Sequence, residues 1–344
     1  VLVHQNVRKA TVDHFTWNEL PPLQVKGKSQ PVNVFQLVSR EEKHGIRLHE
    51  PKYALPMVGR VAELALIEQK LEAALLGHGQ IVGITAEAGM GKSCLIAEVV
   101  RLARGRNILG YGGECQSYGT STSYLVWQSI WQGFFNLEPG WSTAKQIQSL
   151  ERQIAEIDPA LLPRLPLLGT VLNLPIPAND LTSSFDAKLR KESLEALLVD
   201  CVRKWARFTP LLFVLEDCHW LDPLSHDLLD VIGRAIVDLP VLIIIAYRPP
   251  QSDRLQAPRI SQLSHFTEIS LTDLPAEEIE QLVLYKLGQV YGEHAKLPQA
   301  LIEKISRRAE GNPFYIEELL NYLHDRNIDP QQPRSEERRV GKEC

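Results

Sequence analysis

The sequence has no uninterrupted apolar run approaching ~20 residues, no signal-peptide pattern at its start and no Cys-x-x-Cys pair. The first two absences leave membrane spanning and export without support, so a cytoplasmic protein is expected. The five cysteines (Cys94, Cys115, Cys201, Cys218 and Cys344) are scattered and lack the histidine spacing of a zinc site. They read as small buried hydrophobes or free thiols. An excess of positive charge is lacking too, because the formal net charge of −5 offers no bulk attraction to nucleic acid or an anionic membrane. No repeat of ~34 residues is detectable. What remains is 344 residues of ordinary globular composition, enough for two or three domains.

The stretch Ile81–Leu95 organises the rest. A short apolar run (Ile81, Val82, Ile84) predicts a buried strand, and Leu95, Ile96, Val99 and Val100 predict a helix. Between them Ala86–Ser93 fit the spacing of a phosphate loop, one small residue followed four positions later by Gly-Lys-Ser. Backbone N–H groups of Glu87, Ala88, Gly89, Met90 and Gly91 would form a concave nest, and the helix would present its unpaired N–H groups, through Cys94, to a phosphate chain. Gly89 and Gly91 permit the close backbone approach. Lys92 supplies charge for the outer phosphates, and the Ser93 hydroxyl suits one position of a bound Mg2+. Ala86 stands where Gly is usual.

Leu211–Leu215 is a continuous apolar run, the pattern of a strand buried on both faces of a parallel sheet. It ends in Glu216 and Asp217. The first can reach the Mg2+ held by Ser93, directly or through water, and the second can orient or deprotonate an attacking water. Glu216 stands where Asp is usual. Asp222-Pro223 reads as an N-cap and first helical residue. His219 suits either a general base or loop packing beside Trp220. Arg248, at the end of the strand Val241–Tyr247, suits either a solvated strand end or a sensor of the γ-phosphate. Aromatic residues between Tyr124 and Leu137 recur at helical spacing and predict core.

The first block, residues 1–38, predicts a hairpin around Lys26-Gly27-Lys28. It resembles the C-terminal tail of a class III adenylate/guanylate cyclase domain, with its Lys-Gly turn and following Pro31-Val32-Asn33-Val34-Phe35. The metal-binding aspartates of that family would lie upstream of Val1, so no cyclase chemistry is expected of these residues. Residues 39–55 are charged and aperiodic, and read as a linker.

Val58-Gly59-Arg60, ahead of a helical pattern, suits either a plain helix cap or the adenine side of a nucleotide site. Taken in order, Val58-Gly59-Arg60, the Ala86–Ser93 loop, Leu215-Glu216-Asp217-x-His219-Trp220-x-Asp222, Tyr247-Arg248 and Gly311-Asn312-Pro313-Phe314 resemble a signal-transduction (STAND) AAA-like ATPase of bacterial regulators. The resemblance implies an α/β P-loop NTPase fold: a mainly parallel sheet flanked by helices over 56–272, a C-terminal helical lid over 273–333, and the N-terminal β-hairpin remnant. It implies ATP or ADP with Mg2+ as ligands, Pro313 near the adenine, and cyclase or helical-repeat domains of the same parent chain as partners. Residues 334–344 resemble a translated sequencing adapter and are set apart. Three functions stay open: slow ATP hydrolysis coupled to signalling, a nucleotide-gated scaffold with negligible turnover, and a cyclase fragment.

Overall fold

The computed structural model describes residues 2–4, 15–23, 32–40, 57–117, 120, 122–138, 140–249, 259–291, 299–309 and 311–325. The expected turn at 26–28, most of the 39–55 linker and the 334–344 tail lie outside these residues. The chain divides into two compact units, 1–46 and 47–344, each described by itself.

The first unit is a three-stranded antiparallel sheet of β1 (Leu2–His4), β2 (Phe15–Leu23) and β3 (Val32–Arg40) in the order β1-β3-β2. Strand β3 extends two residues into the segment expected to be linker. Val34 and Phe35 are its buried side chains among the described residues.

The second unit is built on a five-stranded parallel sheet: β4 (Gln80–Thr85), β5 (Leu109–Glu114), β6 (Leu211–Glu216), β7 (Val241–Tyr247) and β8 (Phe266–Ser270), in the order β5-β6-β7-β4-β8. Strand burial follows this order. All seven residues of central β7 are buried, as are the first five of β6, whereas edge strand β8 buries only Ile269. Apolar runs of branched residues suit strands covered by helices on both faces, which is why β6 and β7 read as continuous rather than alternating.

Helices α1 (Val61–Leu75), α2 (Lys92–Gly105), α3 (Leu125–Phe134) and α4 (Thr143–Ile157) are followed by a proline-studded 3-10 segment, Pro159–Leu167, and two short helices, α5 (Leu168–Leu172) and α6 (Asp180–Ser183). Two longer helices, α7 (Ala187–Trp205) and α8 (Pro223–Ala235), complete the flanks. The aromatic face of α3 is core, as its spacing predicts. Trp131 packs edge-on against Phe134 at 5.1 Å and meets Phe213 of β6 at 6.3 Å. Asp222 caps α8 by accepting from the Leu224 and Ser225 N–H groups, with Pro223 as first helical residue.

Three further helices, α9 (Ala276–Tyr291), α10 (Gln299–Ala309) and α11 (Pro313–Asp325), enclose a small core of their own that includes Leu282, Val283, Ile305, Ile316 and Leu320. Val58 joins this core from the start of the second unit. No described helix is long and apolar enough to cross a membrane. Cys115, Cys201 and Cys218 are buried free thiols, as expected.

Candidate functional site

The C-terminal ends of the parallel strands set the site. Thr85 of β4 lies between Tyr247 and Ser270 in register, and Glu114 pairs with Glu216. Strands run from β4 to β5 on one side and return past β4 to β8 on the other, so the loop after β4 sits where the order reverses, the usual ligand position in open parallel sheets. The Ala86 N–H, bonded to the Tyr247 carbonyl at 3.3 Å, anchors the start of that loop.

The loop turns through Gly89 (φ +81°) and Gly91 (φ +89°), both in the left-handed region that favours glycine. Gly91 is the N-cap of α2, whose first residues Lys92, Ser93 and Cys94 therefore carry free N–H groups towards a cleft of about 360 Å³. That volume lies within the ~300–1,000 Å³ range of small-ligand sites. Lys92 Nζ donates to the carbonyls of Ala86 (2.6 Å) and Glu87 (3.0 Å), so its charge is held over the mouth of the loop. Burial pushes its pKa down, opposed by the carboxylate of Asp217 and reinforced by Arg248. Ser93 Oγ donates to Glu216 Oε2 at 2.8 Å. Burial pushes the Glu216 carboxyl upward, against the Ser93 hydrogen bond and together with the charges of Glu114 and Asp217.

Of the residues expected at the site, Val58, Arg60, Ala88, Gly89, Met90, Gly91, Lys92, Ser93, Cys94, Asp217, Arg248 and Pro313 line this one cleft. Glu216 stands behind it, one hydrogen bond from Ser93. Glu87 contributes its carbonyl to Lys92 and leaves its side chain exposed. Gly59 does not line the cleft, but its φ of +69° favours glycine, and a Cβ there would displace the Glu278 carboxylate. Arg60 is 8% exposed. Its guanidinium reaches beneath the loop to the Met90 carbonyl (3.4 Å), to the Thr272 carbonyl and to Glu63, so it braces the loop as well as bordering the cleft.

Residues without a motif of their own complete the walls. Met57, Leu274 and Leu282 add apolar lining beside Val58 and Pro313, while Phe314 and Glu317 reach the cleft from α11. Asn312 Nδ2 donates to the Ala88 carbonyl at 3.2 Å, and the Phe314 N–H donates to the Gly89 carbonyl at 3.3 Å. The helical unit is thus hydrogen-bonded to the phosphate-type loop itself. Gly311-Asn312-Pro313 marks a helix start in the sequence, and that punctuation was the available signal; the contact to residues 88 and 89 was not.

The arrangement can take a polyanion with an apolar body. The cleft lining combines loop residues 88–94, Lys92 among them, and Arg248 with the apolar side chains of Val58, Leu274, Leu282 and Pro313. The Ser93 and Glu216 oxygens are hard donors already held together, which fits Mg2+. Among the described residues no group of three His, Cys, Asp or Glu side chains could hold a metal alone. Mg2+ beside a phosphate chain needs only one or two protein ligands.

The AAA ATPase domain family matches residues 56–244, and a domain of unknown function matches 275–328. An uncharacterised protein of Rhizobium meliloti is 28% identical over 287 residues, 82% of this chain and 26% of that protein. Adenylate cyclase type 10 of Rattus norvegicus is 22% identical over 339 residues, 94% of this chain and 20% of that protein. The chain thus spans between 20% and 26% of the length of these curated relatives. Among solved structures, the ORC1 protein of Aeropyrum pernix in complex with DNA aligns with a TM-score of 0.44 and 18% identity over 80% of this chain and 62% of that one. AMPPCP-bound DnaA from Aquifex aeolicus aligns with a TM-score of 0.42 and 13% identity over 78% and 62% respectively.

Proposed function

This chain belongs to the AAA ATPase domain family, and we propose that it binds ATP with Mg2+ in the cleft, hydrolyses it slowly, and passes nucleotide state to neighbouring domains through helices α9–α11. The observation that carries this reading is the pair of hydrogen bonds from Asn312 and Phe314 to the carbonyls of Ala88 and Gly89, because a loop that reshapes around phosphates must move the helices bonded to it.

In this reading the apolar wall of Val58, Leu274, Leu282 and Pro313 takes the base, and the N–H groups of residues 89–94 take the phosphates. Lys92 leaves its two loop carbonyls for the outer phosphates and stabilises charge on the transferring phosphoryl group. Ser93 and Glu216 would hold Mg2+, which supplies charge neutralisation on the phosphate oxygens. Asp217 positions the water whose oxygen bonds to the γ-phosphorus as the bond to the bridging oxygen breaks, and its carboxylate receives the water's proton. Arg248 senses the γ-phosphate. The products are ADP and inorganic phosphate.

The finer kinship, to STAND ATPases that follow class III cyclase domains in larger regulators, rests on the ordered motifs. It is supported by the adenylate cyclase type 10 alignment, whose 94% coverage reaches into the first unit. Residues 1–38 would be the end of such a domain, 56–272 the ATPase and 273–333 its lid.

A nucleotide-gated scaffold with negligible turnover is the second reading. It is favoured by Lys92 being engaged by its own loop and by Glu216 in place of the shorter Asp. Single-turnover hydrolysis by the purified chain decides between them. Conversion of bound [γ-32P]ATP within minutes supports an ATPase, and ATP intact after hours supports the scaffold.

A further inference from the structure

His219 is a buried imidazole that the hydrolysis described above does not use. It sits in the 3-10 turn Cys218–Trp220, directly after Asp217, whose backbone is left-handed (φ +52°, ψ +38°). That conformation reverses the chain at the end of β6 and brings the ring back beside the carboxylate. The His219 side chain is 4% exposed and the Asp217 side chain 40%, with Nδ1 at 3.8 Å from Oδ1. Trp220 packs on the ring at 5.1 Å. Both imidazole nitrogens are buried without a hydrogen-bond partner.

An apolar ring would fill this space without desolvating two polar atoms, so retaining an imidazole there needs a compensating bond in some state of the protein. The gap to Asp217 is just beyond hydrogen-bonding length, and a small rotation of either side chain closes it. Asp217 lines the cleft and His219 does not, so the carboxylate rather than the imidazole is the group open to a bound substrate.

Resting on the ATPase reading above, we propose that His219 is a positioning residue that acts through Asp217: its Nδ1–H donates to the Asp217 carboxylate when nucleotide is bound and fixes the direction in which that carboxylate holds the attacking water. The bond orients one oxygen of Asp217 and leaves the other for the water. His219 does not itself touch the water, so it is neither the base nor a nucleotide ligand, and its loss slows hydrolysis without weakening ATP binding.

The test compares the whole chain with His219→Asn, His219→Gln and His219→Phe, measuring ATP affinity by calorimetry and hydrolysis by single turnover. Asn keeps an N–H near the place of Nδ1, Gln moves it a methylene further out, and Phe keeps the ring without a donor. We expect all variants to bind ATP within about threefold of wild type. The Asn variant should hydrolyse at a near wild-type rate, and the Gln and Phe variants roughly ten- to hundredfold more slowly. Wild-type turnover by the Phe variant, or equal slowing of Asn and Phe, overturns the proposal. Should the Phe variant fail to bind ATP for want of a fold, the Asn and Gln pair decides: Asn faster than Gln supports the role, and equal rates overturn it. Wild-type protein that leaves ATP intact for hours overturns the hydrolase reading and the His219 role with it. Turnover unaffected by any substitution overturns the His219 role alone.

Discussion

Ser93 Oγ and Glu216 Oε2 lie 2.8 Å apart across 123 residues of sequence. The bond joins the first turn of α2 to the end of β6, so the two halves of the proposed Mg2+ position are already assembled. Each oxygen satisfies the other, and Mg2+ would replace that mutual bond.

A pH dependence follows from the buried carboxyl. Burial raises the Glu216 pKa, so between the ordinary glutamate range and that raised value the folded state holds a proton that the unfolded chain has lost. Stability of the nucleotide-free protein should therefore fall as pH rises through this window. Mg2+-supported ATP binding should change the opposite way, weakening as pH falls and Glu216 takes up its proton. Thermal melts and Mg2+ titrations over pH check both, and Glu216→Gln should flatten each profile.

Lys92→Ala removes the one ammonium that the loop aims at its own carbonyls. We expect ATP affinity to fall on the order of a hundredfold, the scale of a lost charge-assisted contact to phosphate. Unchanged affinity by calorimetry would refute the assignment of the phosphate site.

Gly59→Ala should destabilise the fold by about 1–3 kcal/mol, the cost of a left-handed residue that gains a Cβ. The Glu278 carboxylate must also move, since it occupies the place of that Cβ. Chemical denaturation gives the number, and a neutral result would mean that this turn relaxes freely.

Asn312→Ala deletes both the Nδ2 bond to the Ala88 carbonyl and the Oδ1 cap that accepts from the Phe314 N–H, each worth about 1 kcal/mol, whereas Asn312→Asp keeps the cap and loses only the loop bond. Amide hydrogen exchange over Pro313–Asp325 should rise while exchange in β6 and β7 stays the same. Equal protection in the Asp variant would show that the Phe314 bond and packing suffice.

The parts of this site legible in the sequence were those encoded locally. Lys92 and Ser93 follow a strand pattern at fixed spacing, and Glu216 ends an apolar run whose length alone marks a buried strand. Asp222-Pro223 states its own role. Residues whose role depends on a distant partner were not legible. Asn312 meets Ala88 across 224 residues, and nothing in a window around either announces the other. Leu274 and Leu282 look like any core leucine, because wall and core have the same periodicity. Arg60 had two open readings, cap and nucleotide contact. Arg60 is the N-cap residue of α1 and borders the cleft, and its guanidinium also braces the loop through Met90 and Thr272, a use visible only once β8 lies beside β4.

Gly89 carries the last consequence. Its carbonyl holds the Phe314 N–H, and the place of its missing Cβ is filled by Asn312 and by the Cβ of Phe314. In the proposed nucleotide-binding role this contact would act as a seal on the cleft, and ligand residence time would depend on how often the bonds from Asn312 and Phe314 break together. A side chain at residue 89 would wedge the seal open without removing a phosphate donor. Response speed and ligand affinity can then be set at different residues, so a protein built on this plan can be retimed without being redesigned.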